Sequence, residues 1–297
     1  MSTTPNPIEQ SGSSPNSPEY SSAEVNSSAQ APIADGECSP LKKQWQIFLV
    51  ALAFFTRIPI PANTPYSSER LNQANRYFGL VGCIVGACSA LVYLLAASLL
   101  TPPLAIGLAI ATSLLLTGAF HEDGLADVFD GFGGGWTVEQ KLSIMKDSRL
   151  GTYGAAALVV CIGTKWLALS TLAEHSVWLP ALALFSLHGL SRVCAASLIF
   201  SYPYVRADQT SKVKPLANQQ TQLDLWVLML TALVLLALFP LATACSLALC
   251  LIFVRYACGK WFKRQLGGYT GDCLGAAQQL SEVSGYLLLV ALSASSL

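Results

Sequence analysis

Of 297 residues, 53% are hydrophobic and only 11% are charged, against about a quarter in an ordinary soluble domain, so a soluble core is excluded as the main body of the chain. Seventeen Lys and Arg balance 17 Asp and Glu, which removes the basic field that nucleic acid would need. The nine cysteines form no C-x-x-C pair, and Cys83, Cys88, Cys161, Cys245 and Cys250 sit inside apolar runs, as small hydrophobes rather than a disulfide framework or zinc motif.

Residues 1–40 are rich in Ser, Pro, Asn and Ala, and their charges are all acidic: Glu9, Glu19, Glu24, Asp35 and Glu37. They carry too little apolar surface to offset ordering entropy, so a disordered N-terminal extension is expected. The segment has neither the basic start and apolar stretch of a signal peptide nor the arginines of a transit peptide.

The membrane-embedded domain is expected over 41–297. Trp45 to Phe55 is apolar but too short to cross a bilayer, which predicts an interfacial or re-entrant helix anchored by Lys42, Lys43 and Arg57. Tyr77 to Leu100 is an uncharged span. Pro102-Pro103 breaks the chain before a second span, Leu104 to Phe120. A polar segment, His121 to Arg149, precedes the spans Leu150 to Ala173 and Val177 to Tyr202. Those two contain Lys165, His188 and Arg192, charges that at such depth face a bundle interior or a wet cavity, or snorkel to an interface.

Leu225 to Val254 has no charge in thirty residues. As one helix it would be about 45 Å long, well beyond a hydrocarbon core of ~30 Å. Basic residues decide between one span and two. They cluster at Arg57, Arg70 and Arg76, at Lys141, Lys146 and Arg149, at Arg206, Lys212 and Lys214, and at Arg255, Lys260, Lys263 and Arg264, while the intervening turns have none. Only a hairpin of two short helices around Pro240 puts all four clusters on one side, which is then cytoplasmic. A short closing helix, Val283 to Ser296, completes an all-α, polytopic transmembrane bundle of about 6–7 spans.

Chemistry concentrates in three places. Glu122, Asp123, Asp127 and Asp130 put four carboxylates in nine residues directly after a span. If the helix continues, the three aspartates share one face and Glu122 lies roughly 100° away. Clustered carboxylates beside the glycines 131 and 133–135 suit Mg²⁺, which takes oxygen ligands, keeps waters and adds a substrate phosphate. Gly267-Gly268-Tyr269-Thr270-Gly271-Asp272 is the second motif. Thr270 or Asp272 is placed to cap a helix starting near Leu274, and the free amides of such a start favour phosphate. Glu282 is ten residues further on, about 15 Å along a straight helix, which leaves its membership of the same site open. Third, Lys146 and Arg149 suit phosphate oxygens and equally suit positive-inside anchoring.

These motifs in this order resemble the cobalamin synthase (adenosylcobinamide-GDP ribazoletransferase) family. The resemblance rests on Phe55-Thr56-Arg57-Ile58-Pro59, His121 to Asp127 with Asp130 to Gly134, Lys146 to Gly154, and Gly267 to Ala276. It covers 41–297 and implies a membrane-embedded transferase domain there. It implies a multi-pass bacterial inner-membrane enzyme that joins adenosylcobinamide-GDP to α-ribazole, or its 5′-phosphate, and releases GMP at the cytoplasmic face. It also implies Mg²⁺ at Glu122, Asp123, Asp127, Asp130 and Asp272. Glu122, Asp123 and Asp127 would be catalytic, Lys146 and Arg149 would contact the pyrophosphate, and Gly267, Gly268, Thr270 and Gly271 would line the substrate. The partners implied are these small molecules and the lipid bilayer; a homo-oligomer is left open. An Asp-rich prenyltransferase also fits the Asp123/Asp127 spacing but leaves the Gly267–Asp272 motif without a role, and a transporter would place its site nearer mid-membrane.

Overall fold

The structure, a computed structural model, describes residues 39–205 and 220–294. The expected disordered extension, apart from residues 39 and 40, and the basic residues Arg206, Lys212 and Lys214 lie outside the described residues. The helices in chain order are α1 (Pro40–Phe55), α2 (Ser68–Ala74), α3 (Phe78–Ala97), α4 (Pro102–Thr117), α5 (Phe120–Gly134), α6 (Val138–Met145), α7 (Thr152–His175), α8 (Trp178–Ser197), α9 (Gln222–Leu236), α10 (Leu241–Leu266) and α11 (Gly271–Ala294). Among the described residues the one strand-like contact is a parallel bridge between Tyr204 and Tyr269.

The fold is an all-α polytopic bundle. The α2–α3 unit, α7, α8 and α10 are long and apolar enough to cross a membrane, and α4 with α5 qualifies as a pair bent by 87°. The shorter α9 and the partly polar α11 pack among them. In α8, 78% of the apolar window is buried, against 28% in both α7 and α10. Thus α8 is the axis, and α7 and α10 present Val159, Val160, Leu167, Leu249, Ile252 and Phe253 outward, as a lipid-facing wall requires.

Glycine lets α3 lie directly on that axis. A Cβ on Gly86 would stand 2.6 Å from the Leu184 carbonyl oxygen, and one on Gly79 would stand 2.6 Å from the Val193 side chain. On Gly82 it would run into the His188 carbonyl. In lipid, where apolar side chains gain little by meeting one another, such backbone-close packing is a main source of helix association.

Several boundaries differ from expectation. The segment from His121 to Arg149 is mostly helical, because α4 ends at Gly118 (φ 66°) and Ala119 (φ 57°), two successive left-handed residues that send α5 off at a steep angle. The hairpin at Pro240 is present, but its arms are unequal. Pro240, extended at ψ 146°, starts an α10 of 26 residues that takes in Arg255 to Arg264, while α9 has 15. The closing helix begins at Gly271, not Val283. Arg76, counted in the basic cluster ahead of the first span, is 4% exposed and its Nε donates to Asp224 at 2.6 Å, tying the entrance of α3 to the first turn of α9.

Replacing Gly82 with Val should cost about 1–3 kcal/mol of stability by overpacking, read as a lower thermal midpoint in detergent. An unchanged midpoint would mean that α3 and α8 do not touch there.

Candidate active site at the crossing of α5 and α11

The acidic helix α5 meets α11 at a glycine contact. A Cβ on Gly124 would lie 2.9 Å from the Asp272 carbonyl oxygen, and one on Gly275 would lie 3.1 Å from that of His121. The backbones therefore approach closely enough to set Asp123 and Asp127 of α5 beside Asp272 of α11. Asp127 lies within the electrostatic reach of Asp123, Asp130 and Asp272. Asp123 is exposed and Asp127 half-buried, and neither has a hydrogen-bond partner among the described residues. Asp272, also half-buried, takes only a long 3.4 Å contact from the Thr270 hydroxyl. Three open carboxylates thus gather from two helices.

Asp130 has a different job. Its two oxygens accept the Gly151 and Gly154 amides at 2.8 Å each, so it caps the N-terminus of α7 from across the chain. Gly151 and Gly154 leave no room for a Cβ beside that carboxylate. Glu122 also turns away. It is buried, and its Oε1 accepts the Gln279 amide at 2.8 Å in the bundle core. The roughly 100° between Glu122 and its aspartate neighbours on the helical wheel becomes a separation between a core face and an open face.

The glycine motif divides similarly. Gly267 is the left-handed cap of α10 (φ 82°), and its amide donates to Lys263. Gly268 is buried against Pro203, where a Cβ would strike the carbonyl, and the Tyr204–Tyr269 bridge pins the turn there. The Tyr269 phenol, buried beside Tyr204, is pushed up to about 12 by burial. Thr270 caps α11 by accepting the Cys273 amide at 3.3 Å, as its position in the sequence suggests. Gly271 is exposed, with open space around it, beside Asp272.

Lys146 and Arg149 lie on the exposed loop between α6 and α7, which Asp130 fastens to the end of α5. Arg149 Nη2 meets Asp147 Oδ2 at 2.5 Å, and hydrogen bonds from Arg149 hold the Asp147 carboxyl down at about 2. An exposed pair of this kind contributes little to stability, so Arg149 can exchange Asp147 for a phosphate.

Sequence reasoning left Glu282 open and passed over its neighbours Gln278 and Gln279. The structure buries Glu282 at 1% exposure, with Lys165 Nζ at 3.0 Å and His188 Nδ1 at 3.5 Å. Arg192 Nη1 donates to the His188 carbonyl at 2.8 Å. The charges inside the spans therefore face one another. The signal was present: Gln278, Ser281, Glu282 and Tyr286 recur at helical spacing on one face of α11.

Asp123, Asp127 and Asp272 offer only oxygen, with no competing partner among the described residues except the long Thr270 contact, a donor set that fits a hard divalent cation. Among the described residues no three His, Cys, Asp or Glu side chains are grouped closely enough to hold an ion alone.

A helical bundle with an open acidic crossing at one end of its spans is the framework of an integral membrane enzyme, and the comparisons make it a transferase. The chain matches the cobalamin-5-phosphate synthase family over residues 47–290 and belongs to it. A protein of Shewanella piezotolerans is 54% identical over 254 residues, covering 86% of this chain and 98% of the relative. Relatives from Vibrio cholerae (52% over 252 residues, 84% and 95%) and Shewanella frigidimarina (51% over 253 residues, 85% and 97%) are similar. All three are named adenosylcobinamide-GDP ribazoletransferase. No solved structure matches.

The two aspartate roles separate experimentally. Asp130→Ala strands the Gly151 and Gly154 amides and should cost about 1–3 kcal/mol, seen as a lower thermal midpoint in detergent. Asp123→Asn should leave the midpoint unchanged, and equal midpoints in both variants would refute the division.

Proposed function

We propose that this protein joins adenosylcobinamide-GDP to α-ribazole, or α-ribazole 5′-phosphate, giving adenosylcobalamin or its 5′-phosphate and GMP. Membership of the cobalamin-5-phosphate synthase family and the shared name of its relatives support the reading. The observation that carries it to particular residues is the glycine-enforced crossing, which sets the open Asp123 and Asp127 beside Asp272, while Asp130 fastens the Lys146–Arg149 loop to the end of the same α5.

In this reading Asp123, Asp127 and Asp272 hold Mg²⁺. When bound, Mg²⁺ neutralises pyrophosphate charge and eases departure of GMP. Arg149 leaves Asp147 for a bidentate hold on phosphate oxygens, with Lys146 as a second cation. The exposed Gly271 lets the nucleotide approach the free amides of the first turn of α11. The ribose 3′-hydroxyl of α-ribazole attacks the phosphorus on the cobinamide side. Its new P–O bond forms as the bond to GMP breaks, and its proton passes to a carboxylate of the open set acting as base. Glu122, committed to Gln279 in the core, is outside that set.

The site faces the cytoplasm of the inner membrane. Lys146 and Arg149 flank the start of α7, and Lys260, Lys263 and Arg264 crowd the end of α10 just before the Gly267 turn. Lys141 of α6 donates to Gln265 of α10 at 2.7 Å, so these basic ends form one layer.

Purified protein in detergent, given both substrates and Mg²⁺, should release GMP and form the corrinoid product together, and excess EDTA should stop both. Asp123→Asn should lower kcat about 10²-fold or more, as loss of a group acting on developing charge does. Folded protein that forms neither product with either acceptor, or an Asp123→Asn variant as active as wild type, would overturn the assignment.

A further inference from the structure

We infer that Gln279 is a positioning residue that couples the buried ionic cluster around Glu282 to Glu122, and thereby fixes the rotation of α5 that presents Asp123 and Asp127 beside Asp272. The inference rests on the reading of that open acidic face as the catalytic one.

The hydrogen bonds run in one direction. Glu282 Oε1 accepts Lys165 Nζ at 3.0 Å and the Tyr286 hydroxyl at 3.2 Å. Glu282 Oε2 accepts the Gln278 amide nitrogen at 2.5 Å and lies 3.5 Å from His188 Nδ1. The Gln278 nitrogen also reaches Ser191 Oγ at 2.9 Å. Its two hydrogens are then spent, so its carbonyl must face the other way, where it accepts from Gln279 Nε2 at 2.7 Å. The remaining hydrogen on Gln279 Nε2 goes to Glu122 Oε1 at 2.8 Å, and Gln279 Oε1 accepts from Cys161 Sγ at 3.4 Å. No atom of the Gln279 amide is idle, and no flip of either amide preserves the chain.

Gln278 and Gln279 are adjacent, so they project about 100° apart: one toward α8, the other toward α5. Among the described residues the Gln279–Glu122 bond is the only side-chain hydrogen bond between α11 and α5. The cluster is not a substrate pocket. Its cavity, lined by Glu122, Lys165, His188, Glu282 and Tyr286, measures about 10 Å³, room for about one water. Glu122 Oε2 already lacks a protein partner. Without Gln279 the whole carboxylate would be stranded in the core, a cost that a turn of α5 toward water relieves.

A rotation of about 20° would carry a carboxylate on a helix about 11 Å across by about 2 Å. Displacements near 1 Å in a reacting assembly cost about 10²-fold in rate. The rotation concerns the first turns of α5, with its far end held by the Asp130 clasp on Gly151 and Gly154, so Lys146, Arg149 and the Gly271 turn stay in place and the consequence falls on the step after binding.

The test is steady-state kinetics on full-length enzyme carrying Gln279→Met, which keeps length but not hydrogen bonding, alongside Glu122→Met, the double variant and Asp123→Asn. The expected result is a kcat at least tenfold lower in Gln279→Met, with KM for both substrates within threefold. Loss in the double variant should equal the larger single loss, since both act through one bond. Hydrogen exchange should quicken in peptides from 120–134 and stay unchanged in 178–197. Wild-type kcat in Gln279→Met, strictly additive losses, or unchanged exchange in α5 would each overturn the inference. If Gln279→Met yields no monodisperse protein, Glu122→Met decides: the same split between kcat and KM supports the coupling, and wild-type kcat sinks it. A fully active Asp123→Asn would instead indict the reading of the acidic face.

Discussion

A carboxylate buried in the middle of a lipid-embedded helix bundle must be met by donors from its neighbours, and Glu282 imposes that constraint here. Its donors come from α7 (Lys165) and α11 itself (Gln278, Tyr286), with the His188 ring of α8 3.5 Å away and Ser191 of α8 tied to the same Gln278 amide. Such a cluster adds little net stability over an apolar core, but removing one partner costs about 3–5 kcal/mol. It therefore specifies rather than strengthens: only one rotation and one depth of α7, α8 and α11 satisfy it. With α8 set, the glycines of α3 follow, because Gly79, Gly82 and Gly86 fit only against the stretch of α8 from Leu184 to Val193.

The acidic end is built outward from that core. Close contact at Gly124 and Gly275 brings α5 against α11, and every carboxylate on α5 is then sorted by what faces it. Glu122 meets Gln279 through one oxygen and is held in the interior. Asp130 meets two backbone amides of α7 and becomes a clasp. Asp123 and Asp127 meet no hydrogen-bond donor among the described residues and stay open, with Asp272 as their neighbour. Four acids within nine residues thus take three roles, and the role follows from the donors supplied by other helices, not from the acid.

Much of this was legible in the chain. Uncharged runs between basic clusters gave the α3, α7 and α8 spans to within a few residues, and the lopsided distribution of Lys and Arg forced the turn at Pro240. The cap of α11 was narrowed to Thr270 or Asp272, because an oxygen just ahead of free amides is a local pattern, and the structure gives it to Thr270. The elbow at Gly118-Ala119 did not, since alanine carries no mark of a left-handed backbone and is held there by its surroundings. Nor did Gly268, whose need for a bare backbone comes from Pro203, 65 residues earlier.

By itself the sequence determined the class, a polytopic helical membrane protein with a carboxylate- and glycine-rich end, and it pointed to the family, because periodicity, charge bias and ordered motifs are properties of neighbouring residues along one strand of covalent chain. Tertiary structure alone decided which acids stay open, which glycines turn the backbone and which admit another helix, and that Lys165, His188 and Glu282 belong together. Those outcomes depend on the distance between atoms far apart in sequence, and a buried charge is settled only by the partner that reaches it.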